Sequence, residues 1–344
     1  MAKVEIVPAP RKPDAPDVTA SVRQGTAPPA PLAAQVEATS GVKITRGSGG
    51  PPKPLIIDVA QALGVKLAAS PDARLIEKSK YGLLPRIGVD GARPIDIYAR
   101  AVVLDPRLSS GSPRIALVVG GFGLNAEDAE NAIAKLPSAA TLAFQPNGQA
   151  VEQQAAQARD AGHETVLQAR LEEPSDATAD LGSHIPSASD VENLDSLRWQ
   201  MGRFTGYVAV VNDSGGKLMD DRQNMAPILK EIAARGLGYL DGPSPRGDAR
   251  DGAPTLAMPS ARGDVVIDAN ATLEVLDAAL ARLVALARQR GSAIGVASAT
   301  PSSVERLARW ANGLDSKGVA LVPLSALMAE NPGLSTQSNL SVRP

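Results

Sequence analysis

Residues 114–123 read RIALVVGGFG and residues 125–136 read NAEDAENAIAKL. The first stretch is a continuous apolar run ending in glycines, the pattern of a strand buried on both faces. The second has helical spacing, opens on Asn125 as an N-cap and carries Glu127 and Asp128 in its first turn. The same pairing repeats outward from this point. TLAFQP (141–146) is a strand, VEQQAAQARDAG (151–162) a helix closed by Gly162, HETVLQARL (163–171) a strand and SDVENLDSLRWQMGRF (189–204) a helix. YVAVVND (207–213), LGYLDG (237–242), GDVVID (263–268) and SAIGVASA (292–299) read as further strands, and VALVPLSAL (319–327) as a final one. NMAPILKEIAARG (224–236), the long run 271–290 and SVERLARWANGL (303–314) read as the intervening helices. Strands and helices that alternate through short loops demand right-handed crossovers and a mostly parallel sheet with helices outside it. The pattern fits a closed or nearly closed α/β barrel as well as an open doubly wound sheet.

Composition narrows the chemistry. The 344 residues include 35 Lys+Arg against 37 Asp+Glu, a formal charge of -2, so no surplus of cations is present to grip a phosphate backbone, and no nucleic-acid partner is expected. With 44% hydrophobic and 21% charged residues, a sizeable core can be buried. There is no Cys, which excludes disulfides, thiol nucleophiles and iron–sulfur clusters. Only two His occur, His163 and His184, and a site built on several imidazoles can hardly be assembled from them. Nine aromatic residues (2 Trp, 4 Tyr, 3 Phe) are too few for stacking platforms.

No run of 18 or more apolar residues predicts a transmembrane helix, and the N-terminus lacks the pattern of a cleavable leader. Residues 1–50 are rich in Pro, Gly, Ser and Thr and read as a flexible linker. Residues 51–112 mix Pro and Gly with anchors such as Leu84, Ile87, Ile95 and Tyr98, and are expected to lie extended over the domain. The folded domain is expected over 113–330, with a flexible tail over 331–344. A linker ahead of the domain predicts either a free tail or an anchor encoded upstream of Met1. The second case places the domain in the periplasm; the alternative is cytoplasmic.

Ligands of parallel α/β folds gather at the carboxyl ends of the strands. Here those positions are Gly120, Gly121, Pro146, Glu172, Asn212, Asp213, Asp241, Asp268 and Ser298, a set with several acids and no His. His163 sits at the entry to its strand, where a structural bond to backbone or to the preceding helix is expected. His184 lies in a loop on the substrate side. No Gly-x-Ser-x-Gly motif and no dinucleotide fingerprint occur, because Gly120, Gly121 and Gly123 are wrongly spaced.

Several of these segments, in this order, resemble the divergent polysaccharide deacetylases, relatives of the NodB-type carbohydrate esterases. The resemblance rests on LPSAATLAF (136–144), GHE (162–164), RGLGYLDG (235–242), RGDVVID (262–268) and GVALVPLSAL (318–327), and runs from about Arg114 to Met328. It implies a seven-stranded (β/α) barrel and, commonly, an N-terminal anchor facing the periplasm. It also implies a divalent metal held by an Asp and two His, a second Asp as base toward the bound water, and a His that protonates the leaving amine. The departures fall on that chemistry. The family's Asp-Asp pair maps to Gly120 and Gly121, and its three His map to Gln168, Asp213 and Ser298.

The sequence therefore reads as a divergent polysaccharide deacetylase-like barrel whose zinc or other divalent metal is expected to be lost. It would be a non-catalytic protein that binds glycan or an envelope protein through the old cleft. The second reading is an altered carbohydrate hydrolase or deacetylase using Glu172, Asp213 and Asp241, with a hard cation such as Mg²⁺ or Ca²⁺ on oxygen ligands. In either reading Asn212, His184 and Asp268 are the candidate substrate contacts.

Overall fold

The computed structural model describes residues 65–106, 108–109, 111–170, 190–212, 222–242, 258–268 and 271–329. The expected linker over 1–50, the segment 55–64 and the tail over 331–344 lie outside them. The described chain opens with an antiparallel hairpin, β1 (Ile76–Ser79) and β2 (Gly82–Pro85), and a single helical turn, α1 (Pro94–Ile97). The alternating part then runs β3 (Arg114–Phe122), α2 (Ala126–Lys135), β4 (Thr141–Phe144), α3 (Val151–Asp160), β5 (Thr165–Gln168), α4 (Asp190–Met201), β6 (Ala209–Asn212), α5 (Arg222–Ala234) and β7 (Gly238–Asp241). It continues with β8 (Ser260–Arg262), β9 (Val265–Ile267), α6 (Leu273–Arg290), β10 (Ser292–Ser298), α7 (Pro301–Asn312), β11 (Ala320–Val322) and α8 (Leu324–Ala329).

Every pairing among β3 to β11 is parallel, in the order β8-β7-β6-β5-β4-β3-β10-β9, with β11 inserted beside the first residues of β3. The two ends of that order are consecutive in the chain. Residues 260–262 pair with β7, and after Gly263 and Asp264 residues 265–267 pair with β10. One kinked strand thus joins both edges and curls the sheet into a (β/α) barrel. At the kink Gly263 N–H donates to the Asp241 carbonyl at 2.9 Å and Asp264 N–H to the Ile294 carbonyl at 2.8 Å. The Asp264 carboxylate accepts from Ile294 N–H at 2.8 Å and pairs with Arg290 at 3.0 Å, standing in for a ladder bond on its partner strand.

Strand alternation divides the apolar residues into two cores. Ile115, Leu117, Val119, Leu142, Phe144, Leu167, Val210 and Tyr239 face the helices. Phe122, Phe144, Phe204 and Tyr207 form a run of rings there, with centroids 5.7, 5.9 and 4.9 Å apart. Ala116, Val118, Ala143, Val166, Ala209, Val211, Leu240, Ala261, Ile294 and Val296 form the interior. Small and branched side chains suit that interior, where several strands share one narrow lumen.

The floor of the barrel is laid by the two ends of the described chain. Leu75, Ile95 and Tyr98 come from one side and Leu324, Leu327 and Met328 from the other. They meet at Gly238, where an added Cβ would lie 2.8 Å from both Ile95 Cδ1 and Met328 Sδ, so any side chain there would have to push both ends back. The expected final strand over 319–327 is corrected here. It ends at Val322, because Pro323 cannot donate to the ladder, and a helix starts at Leu324. Thr141 Oγ1 accepts from Leu324 N–H at 3.0 Å, and Glu164 accepts from Ser325 N–H at 3.0 Å. Glu164 is fully buried and also accepts from Ser325 Oγ, from Arg100 N–H at 3.2 Å and from Thr141 Oγ1 at 3.3 Å. Burial pushes its carboxyl above the ordinary range, against the pull of those donors.

The hairpin is fastened by charge. Arg235 bonds Glu77 of β1 at 2.9 Å, the Pro85 carbonyl at 2.8 Å and Glu231 at 2.7 Å, and Glu231 also pairs with Arg198 of α4 at 2.8 Å. Burial pushes the Glu231 carboxyl up, but the two guanidinium groups overcome this and hold it below the usual carboxylate range.

Glu164→Gln sets an NH₂ group against donors that now share two carboxylate oxygens. It is expected to cost about 2–3 kcal/mol, read in urea titration as a lower midpoint with unchanged slope.

Candidate functional site

The carboxyl ends of the strands form the mouth of the barrel, and the corner between β3 and β5 is built mostly of glycine backbone. Opposite β4, residues 119–122 of β3 span the distance that residues 142–144 cover, so one extra residue bulges out at Gly120–Gly121. Gly121 has φ +98°, a conformation that side-chain-bearing residues avoid. Its N–H, turned out of the ladder, donates to Gln168 Oε1 at 2.8 Å. Gln168 lies two residues beyond interior Val166 and is 7% exposed, so its carboxamide rests inside the mouth over β3. A Cβ built on Gly120 would fall 2.8 Å from Gln168 Oε1. Two residues further along, a second glutamine makes a similar bond from α3, with Gln154 Oε1 accepting from Gly123 N–H at 3.0 Å. Gln200 holds the chain beyond β5, accepting from Arg170 N–H at 3.0 Å and donating to its carbonyl at 3.3 Å. On the far side Ala299 N–H donates to the Gly120 carbonyl at 2.8 Å, and Thr300 and Ser303 form a capping box that starts α7.

The residues expected at the site divide as follows. Asn212 and Asp241 are register partners on β6 and β7, Asp241 pairs in turn with Arg262, and both Asn212 and Asp241 are fully buried. Their neighbours two positions earlier, Val210 and Tyr239, belong to the helix-facing core, so strand alternation puts Asn212 and Asp241 on that side of the sheet. Gly242, next to Asp241, takes the lumen-side position by the same alternation. Asp268 follows β9 and is exposed. Glu172, Asp213 and His184 lie outside the described residues. The residues that organise the described part of the mouth are Gln168, Gln154 and the glycines they hold. The signal was present as two adjacent glycines at the end of an apolar strand, which leave backbone N–H groups to be satisfied from another element.

A zinc ion held by carboxylate and imidazole does not fit the described donors. Gly120 and Gly121 offer no side chain, and the Gln168 oxygen is engaged by Gly121 N–H. Among the described residues no three of His, Cys, Asp and Glu are grouped as a cation requires. His163 is at the opposite end of the barrel. Its ring nitrogens lie 3.0 Å from the Ala140 carbonyl and 3.3 Å from that of Ile133, and burial holds its pKa below the ordinary value.

Fold and mouth together define a (β/α) barrel of the carbohydrate-deacetylase type in which amides stand among the strand ends. Comparison with known proteins agrees on the class. The profile of the divergent polysaccharide deacetylase family matches residues 117–328, and this chain belongs to that family. The uncharacterized protein YibQ of Escherichia coli (strain K12) is 23% identical over 246 residues, covering 69% of this chain and 74% of YibQ. The crystal structure of the uncharacterized protein ATU2773 from Agrobacterium tumefaciens C58 superposes with a TM-score of 0.66 at 32% identity, covering 72% of this chain and 99% of that one.

Because the fold keeps His163 neutral while an unfolded chain protonates it below about pH 6.5, stability is whole above that pH and is lost as pH falls toward the depressed folded value. The melting temperature should drop between pH 7 and 5, and His163→Gln should flatten that drop. Equal slopes for the two proteins would rule out His163 as the source.

Proposed function

We propose that this protein is a non-catalytic member of its family, which binds a glycan or an envelope protein at the barrel mouth and does not hydrolyse it. The observation that carries the reading is the Gln168 carboxamide lying over Gly120 and bonded to Gly121. Hydrolysis of an acetamide needs an activated water and a base, and at this corner a neutral amide faces two residues without side chains. Carboxamides donate and accept without charge, which suits sugar hydroxyls and acetamido groups. With no aromatic platform beside them, affinity would come from such polar contacts and from shape. The Pro- and Gly-rich first 50 residues suit a tethered protein, and the periplasm is the compartment we assign. Among the described residues no helix is long and apolar enough to cross a membrane.

The test is to offer the purified protein acetylated chitooligosaccharides and peptidoglycan fragments, with and without added zinc. Acetate release should stay at the buffer rate in every case, while calorimetry detects binding of at least one glycan or of an envelope protein. Turnover that a chelator abolishes and zinc restores would overturn the proposal. Inert protein that binds none of these ligands would overturn it equally.

A further inference from the structure

We infer that Gln168, Gly120 and Gly121 form a single interlocked unit that closes the β3–β5 corner of the mouth to a cation, with Gln168 as its positioning residue. The inference deepens the reading of the mouth as a binding site and rests on it.

Three observations are coupled. The ideal Cβ of residue 120 lies 2.8 Å from Gln168 Oε1, 3.2 Å from Cδ and 3.4 Å from Nε2, so a side chain there and the amide compete for one volume. Gly121 N–H reaches the same oxygen at 2.8 Å. The φ of +98° that aims this N–H also discourages a side chain at 121. Any residue larger than glycine at 120 must push the amide aside, and the half-buried Gly121 N–H then loses its acceptor. The amide therefore fills the space that a ligating side chain on β3 would need, and it accepts from the Gly121 N–H that the bulge turns out of the ladder. A buried peptide group needs a partner, and the amide supplies it where a carboxylate-bound cation could not be accommodated.

The arrangement predicts how substitutions combine. Gly120→Ala should lower stability in the wild-type background, by about tenfold in the unfolding equilibrium constant, the scale of one lost buried hydrogen bond. In the Gln168→Ala background the same change should raise stability, because the volume is vacant and alanine in a strand restricts the unfolded chain. Gln168→Asn, one methylene short of the Gly121 N–H, should give the same reversal and serves if the alanine variant does not fold. Denaturant titration of the four proteins of the cycle reads the reversal. Zinc chloride should leave the melting temperature of the wild type unmoved.

Additive effects of the two substitutions would overturn the interlock. So would a zinc-induced stabilisation of the wild type that Gly120→Ala or Gln168→Ala removes. These outcomes separate from the fate of the binding proposal. Acetate release alongside a sign-reversing cycle sinks the binding reading alone, and an additive cycle in an inert, ligand-binding protein sinks only the interlock.

Discussion

A parallel sheet left open has two unpaired edges, and here one short segment joins them. Residues 260–267 give their first half to β7 and their second half to β10, with Gly263 and Asp264 at the change of partner. The kink costs ladder bonds, and the Asp264 carboxylate restores one of them by accepting from Ile294 N–H. Everything that follows from closure depends on this exchange: an interior dry enough for alanine and valine, and a mouth whose strand ends face one another.

Much of that architecture is legible in the sequence. RIALVVGGFG and NAEDAENAIAKL become β3 and α2, and Asn125 caps the helix by accepting from Glu127 N–H. The alternation of strand and helix follows from apolar runs and their glycine stops, which are local signals. Two features were not legible because they are decided elsewhere in the chain. VALVPLSAL looks like one apolar strand, yet Pro323 breaks it, and Thr141 and Glu164, more than 150 residues earlier in sequence, cap the helix that follows. Pairing of one segment with two partners leaves no mark in its composition.

The site was less legible than the fold, for a geometric reason. Choosing residues by their place at a strand end selects the position along the strand but not the face. Asn212 and Asp241 satisfy the first condition, and alternation puts them on the helix side. Gln168 satisfies both. The resemblance sets it against a His, and the difference reads as a simple loss until Gly120 on β3, on the far side of β4, is seen to leave the few ångströms that the amide fills.

The floor shared by Leu75, Ile95 and Tyr98 with Leu324, Leu327 and Met328 bears on how the protein is made. Its two halves are separated by more than 200 residues, so during synthesis the lumen stays unsealed until α8 has left the ribosome. Up to that moment the growing polypeptide carries a nearly complete set of strands around an interior still open to water. Such a chain depends on rapid final docking, or on a chaperone's cover, to reach its native state.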